Sequence, residues 1–301
     1  MIRDGDQILL AKRPDHVHQG GLWEFPGGKR EAGEAPRQAL ARELHEELGI
    51  MVRTARPLIR FTHRYPDRTV ELDVWEVTDF DGTAHGWEGQ PLRWVAPDDL
   101  HRVALPAANR AIVTAARLPD RYLITGAFSG RADFLQRLER ALASGIRLVQ
   151  LRAHRLEEAD YLRLAEVALA RCHAADARLL LNAPADWVTR VGADGVHLTR
   201  WRLAAMSRRP LPEAYLVAAS VHDPQELSRA EALDVDFSVL SPVAPTRSHP
   251  QARPLGWVRF GQWVAAARHP VYALGGLGAE EVTRAREAGA QGVAAIGAFW
   301  G

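Results

Sequence analysis

The chain has 301 residues, more than one hydrophobic core usually serves, so two domains are expected. With 47% apolar and 25% charged residues it has the composition of a globular protein, which excludes a disordered or fibrous chain. A formal net charge of +1 excludes a global pull toward nucleic acid or membrane, so direct DNA binding is not expected and any anion must be held by local sites.

Cys172 is the only cysteine, which rules out an intramolecular disulfide; beside an apolar helical run it reads as a core thiol. No apolar run approaches the length of a membrane span, and the opening Met1-Ile2-Arg3-Asp4-Gly5-Asp6 turns polar at once, unlike a signal peptide. The expectation is a cytoplasmic protein with no membrane partner.

Gln7–Lys12 reads as a strand that follows an Asp-Gly turn, so a hairpin partner is expected before it. Little more than Met1 and Ile2 is left for that partner. Either the chain starts downstream of its natural beginning, or this sheet has a stunted edge.

Residues 28 to 50 carry the spacing Gly28-x5-Glu34-x7-Arg42-Glu43-Leu44-x-Glu46-Glu47-x-Gly49-Ile50. Pro36 suits a first helical turn, Leu40, Leu44 and Leu48 form an apolar stripe, and Gly49 ends the helix. On that helix Glu43, Glu46 and Glu47 fall within one arc. Carboxylates so close repel one another unless a cation neutralises them. Oxygen-only ligands favour a hard ion, Mg²⁺ or Mn²⁺, which would hold a polyphosphate and polarise it for attack by water. An arginine beside the acids can pin one and orient the rest.

This spacing matches the Nudix box at every fixed position, and its surroundings resemble the MutT branch of that family. Trp23-Glu24-Phe25-Pro26-Gly27-Gly28-Lys29 leads into the box; Trp87-Glu88-Gly89-Gln90-Pro91 and Leu105-Pro106-Ala107-Ala108-Asn109 follow. The resemblance implies an α/β Nudix sandwich, a mixed sheet between helices, over residues 1–117. It implies metal ligation by Glu43, Glu46, Glu47 and Glu88 with the carbonyl of Gly27, and proton removal from the attacking water by Glu43 or Glu88. Arg42, Glu24, Phe25, Pro26, Gly28 and Lys29 would complete the catalytic and substrate surface. Asn109 would read a purine edge, its amide offering one acceptor and two donors, and Arg13 would contact base or phosphate. The implied reaction is hydrolysis of a nucleoside triphosphate at an internal phosphorus, giving the monophosphate and pyrophosphate, with 8-oxo-dGTP as the preferred substrate.

Further strands are expected at Leu58–His63, Thr69–Val77 and Leu92–Val95, and a closing helix at Ala108–Ala116, before Leu118-Pro119-Asp120 punctuates the chain. From Arg121 short apolar runs alternate with amphipathic helical stretches. The runs are Tyr122–Thr125, Leu148–Arg152, Leu179–Asn182, Gly195–Leu198, Leu216–Ser220, Phe237–Ser241, Val271–Gly275 and Gly292–Gly297. Eight such β–α units in about 180 residues predict a closed (β/α)8 TIM barrel over 121–301.

The second half resembles thiamine-phosphate synthases and their thiazole-tautomerase relatives. The resemblance lies in Tyr122-Leu123-Ile124-Thr125, Val149-Gln150-Leu151-Arg152, Gly192-Ala193-Asp194-Gly195-Val196-His197-Leu198 and Ala219-Ser220-Val221-His222. It continues in Ser241-Pro242-Val243-Ala244-Pro245-Thr246, Ala273-Leu274-Gly275-Gly276-Leu277 and Ala295-Ile296-Gly297-Ala298. The chain departs from the synthases where they carry Mg²⁺-binding acids: it reads Asn182-Ala183-Pro184 and His197-Leu198-Thr199-Arg200-Trp201-Arg202. A lysine expected after Gln150-Leu151-Arg152 is replaced in Ala153-His154. Synthase activity is therefore not expected, while Gly275, Gly276 and Gly297 keep the turns that bind phosphate in such barrels, and Arg200 and Arg202 add positive charge. His222 stands where the tautomerases use a histidine for proton transfer. Two other readings stay open: a thiamine-pathway pyrophosphate hydrolase with a tautomerase or sensing barrel, and a barrel that is only structural or ligand-sensing.

Overall fold

The computed structural model describes residues 1–17, 19–64, 69–246 and 251–301, and the chain divides into two compact units, Met1–Arg117 and Leu118–Gly301. The first unit contains β1 (Ile2–Asp4), β2 (Gln7–Lys12), β3 (Trp23–Glu24), α1 (Pro36–Leu48), β4 (Met51–Arg64), β5 (Thr69–Asp81), β6 (Leu92–Val95) and α2 (Arg110–Arg117). 3₁₀ segments at Pro97–Arg102 and Ala107–Asn109 precede α2, so the expected closing helix begins as a tighter turn.

The strands form one mixed sheet in the order β3-β2-β1-β5-β4, with β6 paired to β2. Only β1 against β5 is parallel among the described pairs, through Ile2 and Val77. The short strand is thus not a stunted edge: it lies in the middle of the sheet, hydrogen-bonded on both sides. Such a position demands apolar side chains, and Ile2 is fully buried. Side chains of β2 alternate as the pleat requires. Ile8 and Leu10 pack with Ile112 and Ala115 of α2, while Leu9 packs with Leu44 and Leu48 of α1. The sheet is therefore sandwiched between the two helices, and Leu44 and Leu48 fix which face of α1 turns outward.

The second unit is a closed barrel of eight parallel strands: β7 (Arg121–Ile124), β8 (Leu148–Leu151), β9 (Arg178–Leu181), β10 (Gly195–Leu198), β11 (Leu216–Val221), β12 (Phe237–Leu240), β13 (Val271–Leu274) and β14 (Gly292–Ala295), with β14 closing on β7. The intervening helices are α3 (Arg131–Ala143), α4 (Glu158–His173), α5 (Ala185–Val191), α6 (Arg200–Ala205), α7 (Pro224–Ala232), α8 (Gly256–Val264), α9 (Val282–Glu287) and α10 (Gly297–Trp300). Tyr122, Leu148, Leu180, Phe237 and Tyr272 fill the interior beside the small Ala218 and Ala294, an alternation of bulk that closes a narrow barrel. The opposite faces of the strands, Val149, Leu179, Val196 and Val217 among them, pack under the helices. Cys172 is buried in that layer, its thiol pushed up to about 12 first by burial and then by Asp194, which is the inert core thiol expected.

Candidate active site and barrel mouth

Helix α1 starts without a side-chain cap at Ala35; Gln38 Oε1 instead accepts the Ala35 N–H at 3.1 Å, and Pro36 sits in the first turn. Gly49 ends it with φ of 70°, its N–H on the His45 carbonyl at 2.9 Å. With Leu44 and Leu48 inward, the acidic arc faces out, and Arg42 organises it. Its Nε and Nη2 donate to the two oxygens of Glu34, each at 3.1 Å, and Nη1 donates to Glu43 at 2.9 Å and Glu46 at 3.2 Å. Nη2 also reaches the Lys29 carbonyl at 3.0 Å, tying the glycine loop to the helix. These contacts raise the Arg42 pKa, the Glu34 hydrogen bond foremost, and the same bond holds Glu34 below its ordinary value.

The loop before the helix passes close to the acids. Gly27, with φ of 143°, donates its N–H to Glu47 Oε2 at 3.1 Å. A Cβ on Gly28 would lie 2.0 Å from Glu43 Oε2, so any larger residue there displaces that carboxylate. On the far side the Trp87 N–H and Gln90 Nε2 both donate to the Glu47 carbonyl at 3.1 Å, while Gln90 Oε1 accepts the Glu88 N–H at 2.9 Å. Gln90 thus clamps the Glu88 loop onto the end of α1, a role that spacing alone does not reveal.

The Glu47 carboxyl is pushed up to about 7: burial is the main cause, opposed by the Gly27 hydrogen bond and reinforced by the charges of Glu88, Glu43 and Glu24. Among the described residues no three acidic, histidine or cysteine side chains already converge as a metal site. Arg42 holds Glu43 and Glu46, while the Gly27 N–H holds Glu47. The donor set nevertheless fits a hard divalent ion, being all oxygen and mutually repulsive.

Around this centre, Arg13 forms an ion pair with Glu24. Burial raises the Glu24 pKa and Arg13 opposes it. Phe25 packs against the α2-side core and Pro26 is buried, whereas Lys29 is exposed. Asn109 is buried, 9% exposed, and its Nδ2 finds no acceptor among the described residues.

In the barrel the strand ends gather a second group. His222 follows β11; its Nδ1 lies 2.9 Å from Glu226 Oε2, which also accepts the His222 N–H at 2.8 Å. Glu226 is held in turn by Arg200 at 2.8 Å, so Arg200 is neutralised rather than free at the mouth. Its partner lies on the next helix, α7, where the sequence alone gave no reason to look. Arg202 contacts Asn182 Oδ1 at 3.3 Å. Of the glycine turns, Gly275 and Gly276 have φ of 113° and 66°. A Cβ on Gly276 would come within 2.2 Å of the Pro245 carbonyl, whereas Gly297 has open space around it. Deeper in, His197 bridges Tyr122 Oη at 3.1 Å and Ser220 Oγ at 2.8 Å.

Fold and site together define a two-domain α/β protein: a sheet sandwich carrying an arginine-braced carboxylate helix, and an eight-stranded barrel. A NUDIX domain model matches residues 1–115, and a thiamine monophosphate synthase model matches residues 121–299. The chain belongs to both families, the Nudix family through its first domain and the thiamine monophosphate synthase family through its second. The first domain is 42% identical over 113 residues to the CTP pyrophosphohydrolase of Escherichia coli (strain K12), spanning 38% of this chain and 83% of that one. It is 36% identical over 110 residues to the 8-oxo-dGTP diphosphatase of the same organism, spanning 36% of this chain and 85% of that one. The second domain is 32% identical over 190 residues to the thiamine-phosphate synthase of Mycobacterium bovis (strain BCG / Pasteur 1173P2), spanning 59% of this chain and 86% of that one. Among the described residues no helix is long and apolar enough to cross a membrane.

Proposed function

We propose that the first domain hydrolyses a nucleoside triphosphate at an internal phosphorus, releasing a nucleoside monophosphate and pyrophosphate. The observation that carries this reading is the single arc of Glu43, Glu46 and Glu47, braced by Arg42 and touching the Gly27 N–H. These carboxylates, with Glu88 and the Gly27 carbonyl, would hold Mg²⁺ or Mn²⁺, which when bound neutralises the polyphosphate and activates water. Arg42 keeps Glu43 and Glu46 aimed, and Glu43 or Glu88 removes the proton of the attacking water. Lys29, exposed beside the loop, neutralises phosphate charge, and the Arg13–Glu24 pair, with Phe25 and Pro26, lines the approach.

Substrate choice rests on Asn109. A buried amide nitrogen without an acceptor is costly, so an acceptor on the base satisfies it. The O6 atom of a guanine base, oxidised or not, offers one, which supports the purine reading. The carbonyl and ring nitrogen of cytosine are also acceptors, and the 42% identity to a CTP pyrophosphohydrolase favours CTP as a second reading. Rates on 8-oxo-dGTP, dGTP and CTP, compared in wild type and Asn109→Ala, decide between them.

For the barrel we propose a domain that binds a small phosphorylated ligand and lacks thiamine-phosphate synthesis. Ala183, Pro184 and Arg202 stand where the synthase resemblance calls for acids. The Glu226 carboxylate orients His222 through Nδ1, which suits proton transfer on such a ligand and favours the thiazole-tautomerase alternative. Assaying the full chain for thiamine phosphate from a pyrimidine pyrophosphate and a thiazole phosphate tests this.

A further inference from the structure

The last carbonyls of a helix find no partner within it, and at the end of α1 the loop 82–91 supplies the donors. The Leu48 carbonyl accepts the His85 N–H at 3.0 Å, and the Glu47 carbonyl accepts the Trp87 N–H and Gln90 Nε2, each at 3.1 Å. The other end of the Gln90 amide, Oε1, accepts the Glu88 N–H at 2.9 Å. A carbonyl on one side and an N–H on the other leave that amide one orientation. Glu88 sits in a tight turn over 86–89, closed by the Gly89 N–H on the Gly86 carbonyl at 2.9 Å. The turn is fastened at its flanks. The Trp87 ring lies over Gly49, where a Cβ would come within 2.6 Å of it, and meets His45 edge-on with centroids 5.9 Å apart. After Gln90, the Pro91 carbonyl accepts the Lys12 N–H at 2.9 Å and β6 pairs with β2, so Gln90 stands on the sheet. Gly86 approaches Gln90 so closely that a Cβ would lie 2.1 Å from its carbonyl oxygen.

Glu47 is thereby tied twice: its carboxylate takes the Gly27 N–H at 3.1 Å, and its backbone carbonyl takes the Glu88 loop. A single amide thus links one member of the acidic arc to a carboxylate distant in sequence. A carboxylate in a turn that begins and ends with glycine loses freedom when it binds an ion; held in advance, it binds without that cost. We infer that Gln90 is a positioning residue for metal binding, fixing Glu88 against the acidic helix through the Glu47 carbonyl. This rests on the reading of Glu88 as a ligand of the divalent ion. Gln90 acts through Glu88, its own amide being engaged at both ends.

The test is titration of the full chain with Mn²⁺ in the absence of nucleotide, followed by the spin-resonance signal of the free ion. Wild type, Gln90→Met, Glu88→Gln and the double variant are compared. Gln90→Met keeps the length of the side chain and removes both hydrogen bonds. It should weaken Mn²⁺ binding about tenfold or more, as loss of a residue that orients a metal ligand does. In the double variant the two losses should not add, because Gln90 acts through Glu88. The Mn²⁺ concentration for half-maximal hydrolysis of CTP and of 8-oxo-dGTP should rise in step. Thermal unfolding reports the fold of each variant. If Gln90→Met unfolds, Gly86→Ala carries the same test, since it crowds the Gln90 carbonyl and removes no hydrogen-bonding group. A folded Gln90→Met that binds Mn²⁺ as tightly as wild type, or losses that add in full, would overturn the positioning role and leave the hydrolase standing. Wild type that neither binds Mn²⁺ nor hydrolyses either nucleotide, or Mn²⁺ binding untouched by Glu88→Gln, would overturn the ligand reading on which it rests.

Discussion

Arg42 grips Glu34 through two parallel hydrogen bonds, Nε to Oε1 and Nη2 to Oε2, each 3.1 Å long. Because Glu34 precedes the helix and Arg42 lies within it, this fork locks the glycine loop against the acidic arc. The same guanidinium also holds Glu43 and Glu46, so it sets the spacing of the carboxylates. Arg42→Lys keeps the charge and loses the fork. Turnover should fall about 10- to 100-fold, as for other groups that orient metal ligands, with a rise in the Mg²⁺ concentration needed for half-maximal rate. Steady-state kinetics over a Mg²⁺ series checks it; an unchanged metal requirement would show that the fork is only structural.

On the proposed reading, Asn109 couples stability to recognition. Its unpartnered Nδ2 is buried, so Asn109→Leu removes an unsatisfied donor and should leave the free protein as stable as wild type or more so, by about 1 kcal/mol. The same change should erase discrimination between nucleobases, a loss of about 1–3 kcal/mol in relative kcat/KM. Thermal unfolding and competition kinetics measure the two effects. A variant that is both less stable and equally selective would make Asn109 a packing residue.

The outward face of α1 was legible because its pattern needs only local rules: Leu44 and Leu48 at helical spacing turn the acids out. The barrel was legible for the same reason, since eight buried runs such as Leu148–Leu151 and Val271–Leu274 punctuate a steady β–α rhythm. What escaped depends on contacts distant in sequence. The three-residue β1 is central only because Val77 closes its far side. The two-residue β3 and the first half of β4, Met51–Pro57, lack a strong alternation and are strands because β2 and β5 pair with them. Gln90 acts through the carbonyl of Glu47, 43 positions away, and Arg200 loses its free charge to Glu226.

The barrel carries a buried histidine, His197, whose burial favours its neutral form. Burial drives His197 down to about 3, so in the folded state it stays neutral while an unfolded chain binds a proton below about 6.5. Its contribution is therefore fully present above pH 6.5 and is lost as pH falls toward 3. His269, held down to about 4 by burial against a small opposing pull from Asp234, acts in the same direction. His197→Gln should flatten the decline in stability between those limits by up to about 1.4 kcal/mol per pH unit, the slope of one proton. Denaturant unfolding at a series of pH values reads this. An equally steep decline in the variant would place the sensitivity elsewhere.

Thiamine phosphate should not form when the full chain is mixed with a pyrimidine pyrophosphate, a thiazole phosphate and Mg²⁺. Ala183 and Pro184 replace the acid that the synthase resemblance calls for after that strand, and Arg202 stands where the next one is called for, in contact with Asn182. Chromatographic detection of product at a rate that Mg²⁺ stimulates would make the chain a biosynthetic enzyme with two activities.

Hydrolysis of 8-oxo-dGTP by the full chain, followed as release of monophosphate and pyrophosphate with Mg²⁺ and with EDTA, tests the central assignment most directly when wild type is set beside Glu46→Gln. Glu46 is exposed, so the variant keeps its shape and fold while the charge of one proposed ligand is lost. The account predicts turnover in Mg²⁺ only, reduced by orders of magnitude in Glu46→Gln. Pyrophosphate release that persists in EDTA, or a variant as fast as wild type, would contradict it.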